Sequence, residues 1–314
     1  MTTEAAGAAG PGTALPDARQ LAASVRELVQ KHGKLGPELL AATQSLFAPL
    51  HAGAPPPGVK LQRDLAYGSD PRHRLDVFAP AEATATSRPL LVYVHGGGFV
   101  RGDKHVQGTP FNDNIGLWAC RHGMVGVTIN YRLSPQHVWP AGAQDVAAAT
   151  TWIAANAASL GGDRGRIILF GHSAGAVHVA SFIAHREFHG PEGPGIAGAV
   201  LGSGIYDLTG TVGDAERMYF GATPELLAAR SSAPGLLESE TPLMVFLSEL
   251  DPLMFERQAV DLLSRFLERH QWLPRFVSLT GDSHLSPVMH LGYDPGDRLG
   301  PEIFDFIQSE CGVE

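Results

Sequence analysis

The sequence predicts an α/β fold, a mostly parallel central sheet of about eight strands with helices on both faces. Three observations carry this. Short apolar runs alternate with helical stretches along most of the chain. Those runs are bounded by glycine, proline and small polar clusters, as strands between turns are. The 314 residues, 44% hydrophobic and 18% charged, suffice for one large core.

Taken in order, residues 1–16 are an Ala/Gly/Pro tail, expected to be mobile. Asp17 reads as an N-cap, because Leu21, Val25, Leu28 and Val29 recur at helical spacing up to the stop at His32-Gly33. A second short helix follows Pro37 through Leu39, Leu40, Ser45 and Phe47, and "AGAPPPG" then breaks the chain. Residues 17–58 are thus a small helical cap and linker, and residues 59–314 the main body. "LQRDLAY" and "HRLDVFA" alternate like the two strands of a half-wet hairpin. Strands then follow at 90–94, 124–129, 167–170, 197–202, 243–248 and 275–280. Helices are expected near 111–122, 141–160, 174–186, 254–270 and 301–310. Residues 209–240 read as a second covering insertion.

Composition excludes several roles. A formal charge of −9 leaves no basic stripe for nucleic acid phosphates. No segment reaches the roughly 20 apolar residues of a membrane helix, and "MTTEAAGAAGPGTALPDARQ" lacks the basic n-region and apolar core of a signal peptide. Cys120 and Cys311 are too few for a disulfide framework and read as buried, reduced thiols, which places the chain in the cytoplasm. Homo-oligomerisation is left open. "HREFH" (185–189) sets two histidines one helical turn apart, but its glutamate is misplaced for a zinc helix and no third ligand is evident, so no metal is expected. Asp145 and Asp163 read as caps or turn residues.

The chemistry gathers where strands end, as ligand sites on such sheets do. "IILF" runs into Gly171-His172-Ser173-Ala174-Gly175 and then into a helix. That is the strand-turn-helix setting in which G-x-S-x-G lifts a serine above the sheet. A hydroxyl is a weak nucleophile until an imidazole removes its proton and an acid fixes that imidazole's tautomer. "LMVFLSELDP" supplies Asp251 past one strand, and "RFVSLTGDSHLS" supplies His284 past the next. Glu249 and Asp282 are rival acids, with Asp251 favoured because Pro252 marks where the loop turns. In "VYVHGGGFVRGDK", consecutive glycines let backbone amides approach a ligand closely. Gly97, Gly98 and the N–H of Ala174 are therefore the expected oxyanion donors. His95 orients this loop, and "RGD" (101–103) shapes it.

"HGGGF", "GHSAG", "SELDP" and "DSHLS", in that order, resemble the α/β-hydrolase carboxylesterases of the hormone-sensitive-lipase-like group. With "SGIYDL" (203–208) the set is also similar to kynurenine formamidases and bacterial esterases near them. The resemblance spans about residues 60 to 310. It implies an α/β-hydrolase fold and a Ser173, Asp251, His284 triad that hydrolyses small to medium carboxylic esters through an acyl-enzyme, with no cofactor. Two departures bear on this: His172 stands where many of the lipase-like group have aspartate, and Val177 stands where formamidases often have histidine, with His178 one place later. An arylformamidase is the alternative reading, and a catalytically dead binding protein a third. Phe99, Val100, Tyr206, Leu285 and Met289 are candidate pocket residues beside these motifs.

Overall fold

Strands form where β-branched and aromatic residues fall between turn residues, and among the described residues eight of them join one sheet in the order β1-β2-β4-β3-β5-β6-β7-β8. They are β1 Val59–Ala66, β2 Arg74–Pro80, β3 Arg88–Val94, β4 Val125–Ile129, β5 Gly162–His172, β6 Gly198–Gly202, β7 Leu243–Ser248 and β8 Arg275–Leu279. The first two form the expected antiparallel pair, β2 meets β4 antiparallel, and every pairing from β4 to β8 is parallel. The structure is a computed structural model describing residues 15–51, 58–82, 87–210 and 212–312. Most of the expected tail (1–14) and of the linker (52–57) lies outside the described residues.

The helices are α1 Ala18–His32, α2 Pro37–Phe47, α3 Asp113–Arg121, α4 Ala141–Leu160, α5 Ala174–Ala184, α6 Asp214–Phe220, α7 Pro224–Arg230, α8 Ala233–Leu236, α9 Leu253–His270, α10 Ser286–His290 and α11 Gly300–Glu310. Alternation along β3 divides the core in two. Leu90, Val92 and Val94 pack with α4, α5 and α9, while Leu91 and Tyr93 pack with α1, α3 and α11. Asp17 caps α1 through a box closed by Gln20, so the helix starts where its sequence says it should.

Leu21, Val25 and Phe47 are buried in the same cluster as Trp118 and Phe306. The N-terminal helices are therefore packed into the main body as well as standing beside the cleft. The expected covering insertion at 209–240 contains α6 to α8. Asp145 is not a cap: it lies within α4 and accepts from the Arg132 backbone N–H (2.7 Å) and from His73 (3.0 Å), tying down the loop after β4. Asp163 does hold a turn, accepting from the Gly165 N–H at 2.9 Å.

Candidate active site

Ser173 sits between β5 and α5 with φ 55° and ψ −123°, a backbone conformation rarely open to a residue with a side chain. The surrounding packing enforces it. A Cβ at Gly171 would come 2.5 Å from the carbonyl oxygen of Gly175, and one at Gly175 would come 2.0 Å from that of Val94. Only glycine lets the first turn of α5 fold this closely over β3 and β5. The Ser173 N–H donates to the Gly202 carbonyl at 2.8 Å, which pins the turn to the end of β6.

The loops after β7 and β8 bring the other two groups to this serine. His284 Nε2 lies 2.9 Å from Ser173 Oγ, and His284 Nδ1 lies 2.6 Å from Asp251 Oδ1. With Nδ1–H donating to the carboxylate, Nε2 is left as the acceptor for the serine hydroxyl. Asp251 Oδ2 accepts from Ser203 Oγ (2.7 Å) and from the Ser248 N–H (2.8 Å). Burial alone would push this carboxyl up, but the bonds from His284, Ser203 and Ser248 outweigh it and hold it below the usual carboxylate range. The Phe255 ring stacks on His284 with centroids 4.3 Å apart, excluding water from one face of the imidazole.

The rival acids are engaged elsewhere. Glu249 accepts from Arg26 (2.8 Å) and from the Gly281 N–H (2.6 Å). Asp282 accepts from Ser286 Oγ, His290 and Arg298 at 2.6 to 3.0 Å. Gly97 and Gly98 share a cavity with Ser173 and Ala174. Among the described residues, the N–H groups of Gly97, Gly98 and Ala174 donate to no protein acceptor. The glycine loop is fixed from behind: His95 Nδ1 donates to the Gly96 carbonyl at 2.8 Å, and Tyr131 Oη donates to the His95 carbonyl at 2.9 Å. Burial lowers the His95 imidazole to about 4, so it serves there as a neutral donor. Asp103 of the "RGD" stretch accepts from Asn130 Nδ2 at 3.0 Å, within the same loop.

The cavity has a volume of about 1090 Å³. Phe99, Leu285 and Met289 are on its wall; Val100 and Tyr206 are not. Val100 is 43% exposed on the turn that its N–H closes with the Gly97 carbonyl, and Tyr206 is buried away from the wall, where its neighbour Ile205 stands. Sequence reasoning also missed wall residues from the N-terminal segment, Leu35, Leu40 and Gln44, whose approach depends on tertiary packing. It missed Ser203, although "SGIYDL" begins with it, and Lys34, whose Nζ donates to the Asp251 carbonyl at 2.6 Å. A polar arm holds Arg63, paired with Asp76 (2.6 Å) and Asp113, and Lys104, paired with Asp64 and Asp76 (both 2.8 Å). His189 Nε2 bonds the Phe182 carbonyl at 2.8 Å, and no group of three or more metal-ligating side chains occurs among the described residues. No helix searched among them is long and apolar enough to cross a membrane.

Residues 75–191 match the BD-FAE family. Esterase LipQ of Mycobacterium tuberculosis is 32% identical over 203 residues, 60% of this chain and 46% of that protein. Esterase LipC of the same organism is 36% identical over 36% of this chain and 27% of its own length. The chain thus spans less than half of these curated relatives. Among solved structures, phosphonate-inhibited esterase B from Lactobacillus rhamnosis superposes with a TM-score of 0.69 at 18% identity, over 94% of this chain and 97% of that one. A hyperthermophilic esterase from Pyrobaculum calidifontis superposes with a TM-score of 0.64 at 21% identity, over 94% and 99%. At these identities the superpositions speak for the fold, and the sequence matches are partial likenesses to esterases. The chain thus has the α/β-hydrolase fold of these esterases, and over residues 75–191 it is similar to the BD-FAE family.

Proposed function

We propose that the chain is a serine carboxylesterase acting on small to medium carboxylic esters. The observation that carries this reading is the unbroken line of hydrogen bonds from Ser173 through His284 to Asp251 on the wall of one cavity with three amide donors. Ser173 Oγ attacks the ester carbonyl while its proton passes to His284 Nε2. Asp251, held ionised, stabilises the imidazolium so formed. The carbonyl oxygen gains a negative charge and is met by the N–H groups of Gly97, Gly98 and Ala174. Each such donor typically contributes about 3 kcal/mol of transition-state stabilisation. Collapse of the tetrahedral intermediate breaks the C–O bond to the alcohol, which leaves with the proton from His284. Water then attacks the acyl-enzyme, giving its proton to His284, and the second collapse restores Ser173 Oγ–H. The scheme requires no metal or cofactor.

The wall contributed by residues 35–44 acts in this proposal as a fixed cap that bounds substrate size. Two buried free thiols, Cys120 and Cys311, suit a reducing cytoplasm. Side-by-side turnover of 4-nitrophenyl butyrate and N-formylkynurenine tests the bond cleaved. The ester is expected to react with a kcat/KM at least about 100-fold higher, and Ser173→Ala to lose about 10⁴-fold or more of that turnover. Faster hydrolysis of the formamide would replace the ester by an aryl amide, and an active Ser173→Ala variant would remove the nucleophile assigned.

A further inference from the structure

One wall of the cavity carries a charge that the proposed reaction does not use. Glu216, in the first turn of α6, is only 8% exposed and lines the same cavity as Ser173. Among the described residues it has no hydrogen-bond donor and no cation as partner. Buried carboxylates are almost always paired, so an unpaired one at a cavity wall is a group whose partner is supplied from the cavity.

Glu216 is the third residue of α6, where an acid ordinarily folds back onto the N-cap amide. No such bond is made: the carboxylate lies over the first turn, with Oε2 2.7 Å from where a Cβ at Gly213 would stand. Ile205, Ala215, Met254 and Phe255 line the same cavity, so a ligand held by the acid also meets apolar wall. The other enclosed charges at the wall behave differently. Arg63 and Lys104 are both spent on internal carboxylates. Arg101 and Asp214 reach the cavity too, but both are exposed, where water and salt screen them.

We infer that Glu216 is a specificity residue that selects esters carrying a cationic ammonium group on the acyl or the alcohol side within this cavity. This rests on the esterase reading. A carboxylate at the cavity wall is attractive to a cation throughout the reaction and gives nothing to a neutral isostere of the same shape.

Two pairs of substrates isolate charge from shape. For the alcohol side, butyrylcholine is compared with 3,3-dimethylbutyl butyrate. For the acyl side, 4-nitrophenyl 4-(trimethylammonio)butyrate is compared with 4-nitrophenyl 5,5-dimethylhexanoate. In one of the pairs the cation is expected to be preferred at least about tenfold in kcat/KM, and Glu216→Gln, which keeps shape and volume, to bring that ratio to about one. Asp214→Asn is expected to retain most of the ratio. Absence of preference in both pairs, a ratio unchanged in Glu216→Gln, or an equal loss in Asp214→Asn would overturn the assignment. Turnover of the neutral esters keeps the esterase reading standing whichever way the ratio falls, whereas no turnover of any ester would remove that reading and this inference with it.

Discussion

Three histidines of the site region are kept neutral by their surroundings, and this makes stability depend on pH. Burial lowers His95 to about 4 and His172 and His178 to about 3, from an ordinary 6.5. Above pH 6.5 both folded and unfolded chains hold these rings neutral, so they contribute no pH dependence. Below it the unfolded chain takes up protons that the folded chain refuses, and stability falls until the folded values are reached. For three such groups the loss between pH 7.5 and 5.5 is about 4 kcal/mol. Denaturant unfolding at the two pH values measures it directly, and equal unfolding free energies would show that these rings accept protons in the folded state. The residue scale also shows what local signals convey. Ser173, Asp251 and His284 were legible because each follows a strand and sits beside turn residues. Val100 and Tyr206 stand equally close to the motifs, yet a turn exposes the first and core packing buries the second, and neither leaves a mark in sequence.

At the scale of elements, the N-terminal helices do two things at once. α1 presses on the loop before His284, where a Cβ at Gly281 would come 2.4 Å from that of Ala22. Arg26 and Lys34 bond the loop that carries Asp251. α2 meanwhile gives Leu40 to the cavity wall. Leu40→Trp should therefore shorten the accepted acyl chain. We expect kcat/KM for 4-nitrophenyl octanoate to fall at least about tenfold relative to the acetate. An unchanged ratio would mean that α2 does not bound the acyl chain. The helical spacing of Leu21 and Val25 announces α1 itself, but the contacts of this N-terminal segment with the loops of Asp251 and His284 join residues more than 200 positions apart and have no local signal. α6 to α8 were missed as helices because each is seven residues or fewer, too short for periodicity to show. Thr223 followed by Pro224, an N-cap and a first-turn proline, was the readable sign of α7.

At the scale of the molecule, the alternation of strand and helix made the sheet legible: six apolar runs became its parallel strands, and the two alternating runs became its antiparallel edge. The strand order places the ends of β3, β5, β7 and β8 along one edge, so the glycine loop, the serine turn and the loops of Asp251 and His284 converge without any one of them being near another in sequence. On the proposed function, the chemical consequence of that convergence is a single hydroxyl activated above all others in the chain. The most direct measurement is intact-mass and peptide mass spectrometry after treatment with diethyl 4-nitrophenyl phosphate. One diethylphosphoryl group per chain is expected, carried on Ser173, with labelling lost in Ser173→Ala and at least about 100-fold slower in His284→Ala. A chain that takes up no label, or one labelled on a different residue, would contradict it.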